Sequence, residues 1–327
     1  MTQPGQDSSN RKVIDRIRET KDTLFSFELL PPLKGHSIDR LYAAIDPLME
    51  FDPMNINITY HQHEVVYRTV KDSLVEKKVV RKRPGTVAIS AAIKSKYGIT
   101  VVPHLICGGF TREETEDALI DLHYLGMNNL LALRGDPPRG EKRFIPEEDG
   151  HEHAVDLVRQ IMNMNRGIYL EEGQANAMPT DFSVAVAGYP EKHHEAPNMQ
   201  SDLQYLKEKV DAGADYIVTQ MFFDNRKYFD FVDMCRAIGI QAPIIPGLKP
   251  ITFLNDFHLL PQTFSIDLPN DLVRELEKCK DTPAARQVGI EWAILQSKEL
   301  KAAGVPVLHF YSLGISDNIR AIAQAVF

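Results

Sequence analysis

Short apolar runs, rich in β-branched and aromatic residues, alternate along the chain with longer amphipathic segments. This alternation predicts parallel strands joined by helices. The candidate strands are TLFSFELL from Thr23, MNINITY from Met54, VVPHLIC from Val101, NLLALRG from Asn129, FSVAVAGYP from Phe182, YIVTQMFF from Tyr216, APIIPGLKP from Ala242 and VLHFYSL from Val307. Eight strand–helix units in one chain predict an α/β protein built as a single (β/α)8 TIM barrel.

Amphipathic segments with recognisable ends separate these strands. In TREETEDALIDLHYLG, Thr111 and Glu114 have the spacing of a capping box, and Gly126 stands where the helix would end. TVAISAAIKSKY fits either a strand or a helix, and we interpret it as a helix. Two stretches exceed a minimal barrel: a polar insertion at 162–180, and an acidic helical span at about 267–304 that adds helices before the last strand.

The sequence predicts a short N-terminal segment followed by one large domain. Residues 1–20 are predicted to be an N-terminal tail and a short helix, with disorder over about the first ten residues, where Gln, Ser, Asn and Gly are frequent. Residues 21–327 are predicted to form the catalytic barrel. Because the chain ends just after the last predicted helix, no C-terminal regulatory domain is expected.

Composition and charge are those of an ordinary soluble protein. Of 327 residues, 43% are hydrophobic and 25% are charged, and the net charge of −8 does not favour non-specific nucleic-acid or membrane binding. The N-terminus lacks the apolar core of a signal peptide, and no apolar run is long enough for a membrane helix. The three cysteines are scattered, which favours reduced thiols. We therefore expect a cytoplasmic protein.

Several nucleotide and metal signatures are absent from the sequence. It contains neither the glycine-rich fingerprint of a Rossmann site nor a P-loop. Two His-x-His pairs, His61 with His63 and His151 with His153, resemble metal ligands, but neither has a regularly spaced third ligand. No metal site is predicted.

In a (β/α)8 barrel the active site lies at the carboxyl ends of the strands. Polar residues occupy all eight predicted ends. A single polar residue at a strand end is usually only a satisfied cap, and the full set is what suggests a ligand-binding face. The residues are Glu28, Thr59 with Tyr60, His104, Arg134 with Asp136, Tyr189 with His193, Gln220, Lys249 and Tyr311.

Glu28 is the most specific candidate among them. It lies in FSFELLPP, between Phe27 and Leu29, and the two prolines that follow prevent further central-strand pairing. An apolar setting favours the protonated form of a carboxyl group, as a general acid requires. The alternative is a carboxylate paired with a neighbouring arginine or lysine, and the sequence leaves both interpretations open.

Eight ordered blocks resemble the methylenetetrahydrofolate reductase family. They are FSFELLPP at 25–32, NITY at 57–60, PHLICGGFTREE at 103–114, LALRGDPP at 131–138, VAGYPEKHHEA at 186–196, DAGADYIVTQMFFD at 211–224, PIIPGLKPI at 243–251 and LHFYSL at 308–313. The blocks follow the family order over nearly the whole chain.

The resemblance implies a flavoprotein of one-carbon metabolism. Its barrel would bind FAD non-covalently, accept electrons from NADH or NADPH, and reduce 5,10-methylenetetrahydrofolate to 5-methyltetrahydrofolate for methionine synthesis. Glu28 would be the general acid that opens the imidazolidine ring. Asp136, near both flavin and pterin, would stabilise positive charge, and Gln220 would bind folate and accommodate the nicotinamide. A homo-oligomer is also expected.

The resemblance also implies a set of FAD contacts. Arg134 and Lys209 suit a pyrophosphate, Asp202 suits ribose hydroxyls, and aromatic and imidazole rings suit stacking. The full set is Thr59, Tyr60, His104, Arg134, Gly135, Asp136, His153, Ala154, Tyr189, His193, Ala196, Asp202 and Lys209.

The sequence departs from the family where many members hold the glutamate tail of folate with an arginine. Gly314 and Ile315 stand here in place of the family Asn-Arg, and the region around Asp256 lacks a glutamine that some members use. Lys249 and Arg320 are the only substitutes that the sequence suggests.

Three alternatives stay open. One is a flavin-free barrel enzyme, such as an aldolase or methyltransferase that uses Lys249 or Glu28. Another is a barrel that binds folate without turnover. The third is a flavin barrel similar to proline dehydrogenase, which would not share the pairing of Glu28 with Asp136.

Overall fold

The computed structural model describes residues 10–62, 64–71, 74–137, 143–173, 176–312 and 314–327. Within them, nine parallel strands form one sheet and two antiparallel strands form a separate hairpin. The strands are β1 (Leu24–Leu29), β2 (Asn55–Ile58), β3 (Glu64–Lys71), β4 (Leu74–Val80), β5 (Val101–Ile106), β6 (Asn129–Leu133), β7 (Ser183–Gly188), β8 (Tyr216–Thr219), β9 (Ile244–Ile245), β10 (Gly247–Leu248) and β11 (Val307–Tyr311).

Helices connect the parallel strands and cover the outside of the sheet. A 3₁₀ segment at Asp46–Phe51 follows the second of them. The helices are α1 (Val13–Glu19), α2 (Asp39–Ile45), α3 (Thr86–Tyr97), α4 (Arg112–Tyr124), α5 (Ala154–Met164), α6 (Met199–Asp211), α7 (Asn225–Ala237), α8 (Asp256–Phe264), α9 (Asn270–Glu277), α10 (Thr282–Ala302) and α11 (Ser316–Val326). No described helix is both long and apolar enough to cross a membrane.

The sheet order is β10-β11-β1-β2-β5-β6-β7-β8-β9. The two ends are the halves of a single strand position, because β9 and β10 are separated only by Pro246, which has no N–H to donate to a ladder. β9 pairs with β8, and β10 pairs with β11. The ring therefore has eight positions, and the predicted barrel with its eight strands is confirmed.

Side chains alternate between the helical layer and the barrel interior. On β1, Phe25, Phe27 and Leu29 belong to the core between strands and helices. Ser26 and Glu28 lie between them in sequence and therefore face inward. Alternation thus brings polar side chains of separate strands together inside the barrel.

The lower part of the interior is apolar and is closed by α1. Val13, Ile14 and Ile17 pack with inward side chains of the strands, among them Val102 and Leu131. This helix is the short one predicted near the N-terminus. The predicted disorder falls mostly on residues 1–9, outside the described chain.

Other sequence predictions have mixed outcomes. TVAISAAIKSKY is helical as predicted, and Thr111 and Glu114 form the capping box that begins α4. The span at 267–304 supplies α9 and α10. The insertion begins later than predicted, because α5 continues to Met164.

The antiparallel hairpin of β3 and β4 was not predicted from the sequence. It follows β2 and therefore rises from the carboxyl-end face of the barrel. Among its described side chains, Tyr67, Val70 and Val75 are exposed, whereas most of the apolar side chains of the barrel strands are buried.

Candidate active site

The carboxyl-end half of the barrel interior contains a buried polar cluster around Glu28. Oε2 of Glu28 lies 3.5 Å from Nε2 of His104 and 3.9 Å from Nε2 of His309. All three side chains are buried. Among the described residues, no arginine or lysine lies within ion-pair distance of Glu28, and its ionisable neighbours are these two histidines. Glu28 therefore lies between two imidazole rings inside the barrel.

His104 is a neutral member of the cluster. Burial lowers the pKa of His104 to about 4, although the charge of Glu28 acts in the opposite direction. Nδ2 of Asn57 lies 3.3 Å from Nε2 of His104, and Asn55 Nδ2 donates to Asn57 Oδ1 at 2.6 Å. This chain of amides fixes the position of the imidazole beside Glu28.

His309 and Asn57 were not among the site residues predicted from the sequence. Nδ1 of His309 lies 2.9 Å from Oγ of Ser26, which fixes the ring on the other side of Glu28. A signal was available, because His309 and Asn57 precede predicted site residues Tyr311 and Thr59 by two positions. Residues two apart on a strand face the same side.

Thr59 and Tyr60 lie at the carboxyl end of β2, as predicted. Oγ1 of Thr59 is buried and has no hydrogen-bond partner among the described groups. A buried hydroxyl without a hydrogen-bond partner destabilises the fold unless a bound ligand supplies that partner. Thr59 therefore fits the predicted cofactor contact. The hydroxyl of Tyr60 accepts a hydrogen bond from Nη2 of Arg81 at 2.6 Å, and its ring packs on Phe110.

The Arg-Gly-Asp turn follows β6 at the barrel mouth. Gly135 has φ +88°, and an added Cβ would lie 3.2 Å from Ile106, so a close turn is possible there only with glycine. Asp136 is exposed, and its carbonyl accepts from Nε2 of Gln62 at 2.5 Å. Nη1 of Arg134 is paired with Glu195 at 2.5 Å.

The pKa of His61 shows that the two predicted catalytic carboxylates share this mouth. Desolvation and the charge of Arg83 lower the pKa of His61, whereas Glu28, Asp136 and Glu64 raise it. Coulomb interactions weaken with distance and salt, so a side chain that responds to both Glu28 and Asp136 lies near both. His63, its partner in the metal hypothesis, is outside the described residues, and no described group of three ligands could hold a metal.

The loop after β7 and helix α6, which follows it, carry five of the predicted cofactor residues: Tyr189, His193 and Ala196 on the loop, and Asp202 and Lys209 on the helix. The rings of Tyr189 and His193 meet edge to face at 4.7 Å, and the backbone N–H of His193 donates to Asp202 Oδ2 at 2.9 Å. Ala196 is buried nearby, and its N–H bonds to the carbonyl of His193. Lys209 donates to the carbonyl of Ala187 at 2.7 Å.

Burial shifts the pKa values of three of these side chains. It lowers the pKa of Lys209 to about 8, raises that of Asp202, and lowers that of His193 to about 4. A phosphate beside Lys209 would further favour the charged form of the amine. The donor set therefore fits an anionic cofactor.

Three further predicted residues lie at other points of this face. His153 and Ala154 begin α5, where the exposed His153 N–H donates to Asp156 at 3.2 Å. Oε1 of Gln220 accepts from the N–H of Met221 at 2.9 Å, just after β8. The structure thus places the predicted residues on one end of the barrel, and their roles toward ligands stay predictions.

Comparison with known proteins agrees with this geometry. The family model described as methylenetetrahydrofolate reductase matches residues 13–326. Methylenetetrahydrofolate reductase (NADH) 1 of Arabidopsis thaliana is 34% identical over 95% of this chain and 50% of its own length. The 5,10-methylenetetrahydrofolate reductase of Pectobacterium carotovorum subsp. carotovorum is 30% identical over 92% of this chain and 89% of its own.

Solved structures support the fold alone. A Clostridium thermocellum protein described as binding two copies of 5-methyl-5,6,7,8-tetrahydrofolic acid aligns with TM-score 0.54 and 15% identity, covering 95% of this chain and 97% of its own. Oxaloacetate acetylhydrolase aligns with TM-score 0.52 and 11% identity, covering 97% of this chain and 83% of its own.

The present chain spans about half the length of the plant relatives that it matches. The match nevertheless covers almost every residue from α1 to α11 and includes β1 with Glu28, β5 with His104 and the turn after β6 with Asp136. The chain therefore belongs to the methylenetetrahydrofolate reductase family.

Proposed function

We propose that the protein reduces 5,10-methylenetetrahydrofolate to 5-methyltetrahydrofolate with electrons from NADH or NADPH, as an oxidoreductase acting on CH–NH donors. The product would supply methyl groups for methionine synthesis. The observation that supports this most directly is Glu28, which lies between His104 and His309 inside a mouth that also carries Asp136. Family membership supports the same reaction.

Glu28 is proposed as the proton donor to the folate nitrogen that leaves when the imidazolidine ring opens. Its neighbour His104 is neutral over the physiological pH range, so this ring adds no positive charge that would hold Glu28 as a carboxylate. Asp136, exposed at the mouth, would face the cationic carbon centre that ring opening creates. Its fixed negative charge would stabilise that cation.

FAD is the proposed cofactor, and when bound it supplies hydride chemistry between the nicotinamide and the folate. Thr59 would donate its otherwise unpaired hydroxyl to it, and Lys209 and Arg134 would neutralise its phosphates. Arg134 is bound to Glu195, so a phosphate would take the place of that carboxylate. Tyr189 and His193 would pack against the cofactor through their rings.

Three further properties are proposed. The free thiols Cys107, Cys235 and Cys279 support a reducing compartment, the cytoplasm. A homo-oligomer and an absence of nucleic-acid partners are proposed from the resemblance and the net charge. Light scattering on the purified protein tests the oligomeric state.

Purification and two half-reactions test the proposed function. We expect a yellow protein whose absorbance at about 450 nm bleaches with NADH or NADPH under anaerobic conditions and returns when methylenetetrahydrofolate is added. A flavin barrel of the proline dehydrogenase kind would be reoxidised by other acceptors but not by the folate. A colourless protein that cannot be loaded with FAD would reject the proposal.

A further inference from the structure

A rim segment, defined as residues 81–86, lies across the carboxyl ends of β1 and β2. The backbone N–H of Lys34, after β1, donates to the carbonyl of Lys82 at 2.8 Å. Oγ1 of Thr86 donates to the carbonyl of Ile58 at 3.3 Å, at the end of β2. These bonds attach the rim segment to both strand ends, so its side chains keep a fixed relation to the barrel mouth.

Two arginines on the rim segment are held by neutral partners. Arg81 donates to the hydroxyl of Tyr60 and lies over its ring, with 5.7 Å between the guanidinium carbon and the ring centroid. Arg83 is half-buried and donates through Nη1 to the carbonyl of Pro31. Among the described side chains, no carboxylate lies within 4.0 Å of either guanidinium, although the charge of Glu64 raises the pKa of Arg83 against the larger effect of burial.

Three other described cations of the same region are paired with carboxylates. Arg134 pairs with Glu195, Arg112 with Asp149, and Lys82 with Glu64. An arginine held by neutral groups keeps its remaining N–H donors for an anionic ligand, and its planar fork matches a carboxylate. Arg81 and Arg83 are therefore better prepared to receive one than these three cations.

Arg83 is close to the proposed chemistry as well. Its charge lowers the pKa of His61, the same side chain whose pKa Glu28 and Asp136 raise. Arg83 and the two carboxylates therefore lie around one point of the mouth. Arg81 lies near the same part of the mouth, because it donates a hydrogen bond to Tyr60, which precedes His61 in sequence.

The substrate itself has two unlike ends. The pterin end would enter a site that contains Glu28 and Asp136, and the other end of the molecule carries the α- and γ-carboxylates of glutamate. Those carboxylates would be repelled by the acidic mouth and by the net charge of −8 unless fixed cations received them. Two arginines for two carboxylates is the matching arrangement.

The residues that the sequence suggested for this task fit it less well. Arg320 pairs with Glu50 on the outer helical layer, away from the strand ends. Lys249 does lie at the end of β10, where burial lowers its pKa and Asp256 raises it. A single half-buried amine offers no second site for the second carboxylate.

We propose that Arg81 and Arg83 bind the glutamate carboxylates of the folate substrate and so determine its affinity. This inference rests on the proposed function for the identity of the substrate. It adds two specificity residues that lie on a segment following the β3–β4 hairpin rather than after β11.

The test compares ligands with and without the glutamate. Dissociation constants are measured by calorimetry for 5-methyltetrahydrofolate and for its tetrahydropteroate counterpart, and KM is measured for the corresponding methylene substrates. In Arg81→Gln and Arg83→Gln we expect about a tenfold to hundredfold weaker affinity for the glutamate-bearing ligand, because a charge-assisted bond contributes about 1.5–3 kcal/mol. The affinity for the pteroate ligand and kcat should stay near wild type.

Lys82→Gln is the matched control, because it removes one positive charge from the same segment but from a residue paired with Glu64. It should change neither affinity by more than about twofold. Arg83→Lys should give an intermediate loss, since it keeps the charge and removes the fork.

Several results would overturn the assignment. If the variants lost affinity equally for both ligands, the arginines would act by holding the barrel mouth in place through Tyr60 and Pro31, and not by binding the glutamate. Weaker FAD binding with unchanged folate affinity would assign them to the cofactor phosphates. A wild type that binds 5-methyltetrahydrofolate and its pteroate counterpart equally would show that the tail is not recognised. A wild type that discriminates between them but turns neither substrate over would reject the proposed function and retain the binding site.

Discussion

Oε2 of Glu28 lies 3.5 Å from Nε2 of His104, and each side chain exposes less than a tenth of its surface. Burial keeps the pKa of His104 at about 4, so the imidazole is neutral at physiological pH. Glu28 and a neutral imidazole therefore lie side by side inside the barrel, and the proposed general-acid role of Glu28 rests on this geometry. This relationship leads to the first prediction.

Glu28→Gln should separate the two half-reactions. The amide keeps the shape and the hydrogen-bonding capacity but cannot donate a proton, so flavin reduction by the nicotinamide should stay within about threefold of wild type. Folate reduction should fall by about 10²–10⁴-fold. Anaerobic stopped-flow absorbance at the flavin band measures both rates.

The thermal midpoint of Glu28→Gln serves as the control for folding. If both half-reactions slow together while the midpoint is unchanged, Glu28 acts on the cofactor site in general and the general-acid role is wrong.

Asp136→Asn should slow the folate half-reaction more than the nicotinamide one. The carboxylate is exposed at the turn after β6, so its removal should leave the fold intact. Loss of one fixed charge facing a developing cation should cost about 10–10³-fold in rate. The same stopped-flow experiment measures both rates. If the rate of folate reduction is unchanged in Asp136→Asn, the proposed electrostatic role of Asp136 is wrong.

Glu191→Gln should change the pH dependence of stability. The side chain of Glu191 is buried after β7, where Oε2 accepts from the N–H of Asp267 at 3.0 Å and Oε1 has no partner among the described groups. Burial raises the pKa of Glu191 to about 7; the Asp267 N–H and the Lys227 charge, 3.8 Å away, act in the opposite direction. The folded protein therefore binds this proton more tightly than the unfolded chain.

The sign follows from linkage. Between about pH 4.5 and 7 the unfolded chain has released this proton while the folded protein still holds it, so unfolding releases a proton and the free energy of unfolding falls as pH rises. Glutamine stays neutral, so the variant should gain about 1–2 kcal/mol over wild type at pH 8 and almost nothing at pH 5. Urea unfolding at both pH values measures this, and an equal difference at both would contradict it.

Asn129→Ala should loosen the closure of the barrel floor. Oδ1 of Asn129 accepts from the N–H of Val13 at 2.7 Å, and Nδ2 donates to the carbonyl of Arg11 at 3.0 Å. Removing a buried amide that satisfies two backbone groups should cost about 1–3 kcal/mol of unfolding free energy. Hydrogen exchange should also become faster in α1.

The exposed Asn163 in α5 provides the comparison for that prediction. Asn163→Ala should change stability by less than about 0.5 kcal/mol. If both variants lose the same amount, Asn129 does not fasten α1.

Local signals were sufficient for most of the barrel. The apolar runs and the capping box of Thr111 with Glu114 are set by neighbours in sequence, and they correctly predicted eight strand positions and the helix from Thr86. Glu28 was identifiable because prolines follow it directly. The hairpin of β3 and β4 was missed; its described apolar side chains Tyr67 and Val70 are exposed, so they do not follow the pattern of buried positions seen in the barrel strands.

By itself, the sequence determined the barrel and the candidate carboxylates, because alternation of side chains and strand ends depends only on local order. The tertiary structure decided which residues meet. His309 is about 280 residues from Glu28, and Arg83 reaches Pro31 across the hairpin, so only closure of the ring between β1 and β11 and the fastening of the rim segment bring them together. Contacts at such separation are products of folding and leave no trace in any short stretch of sequence.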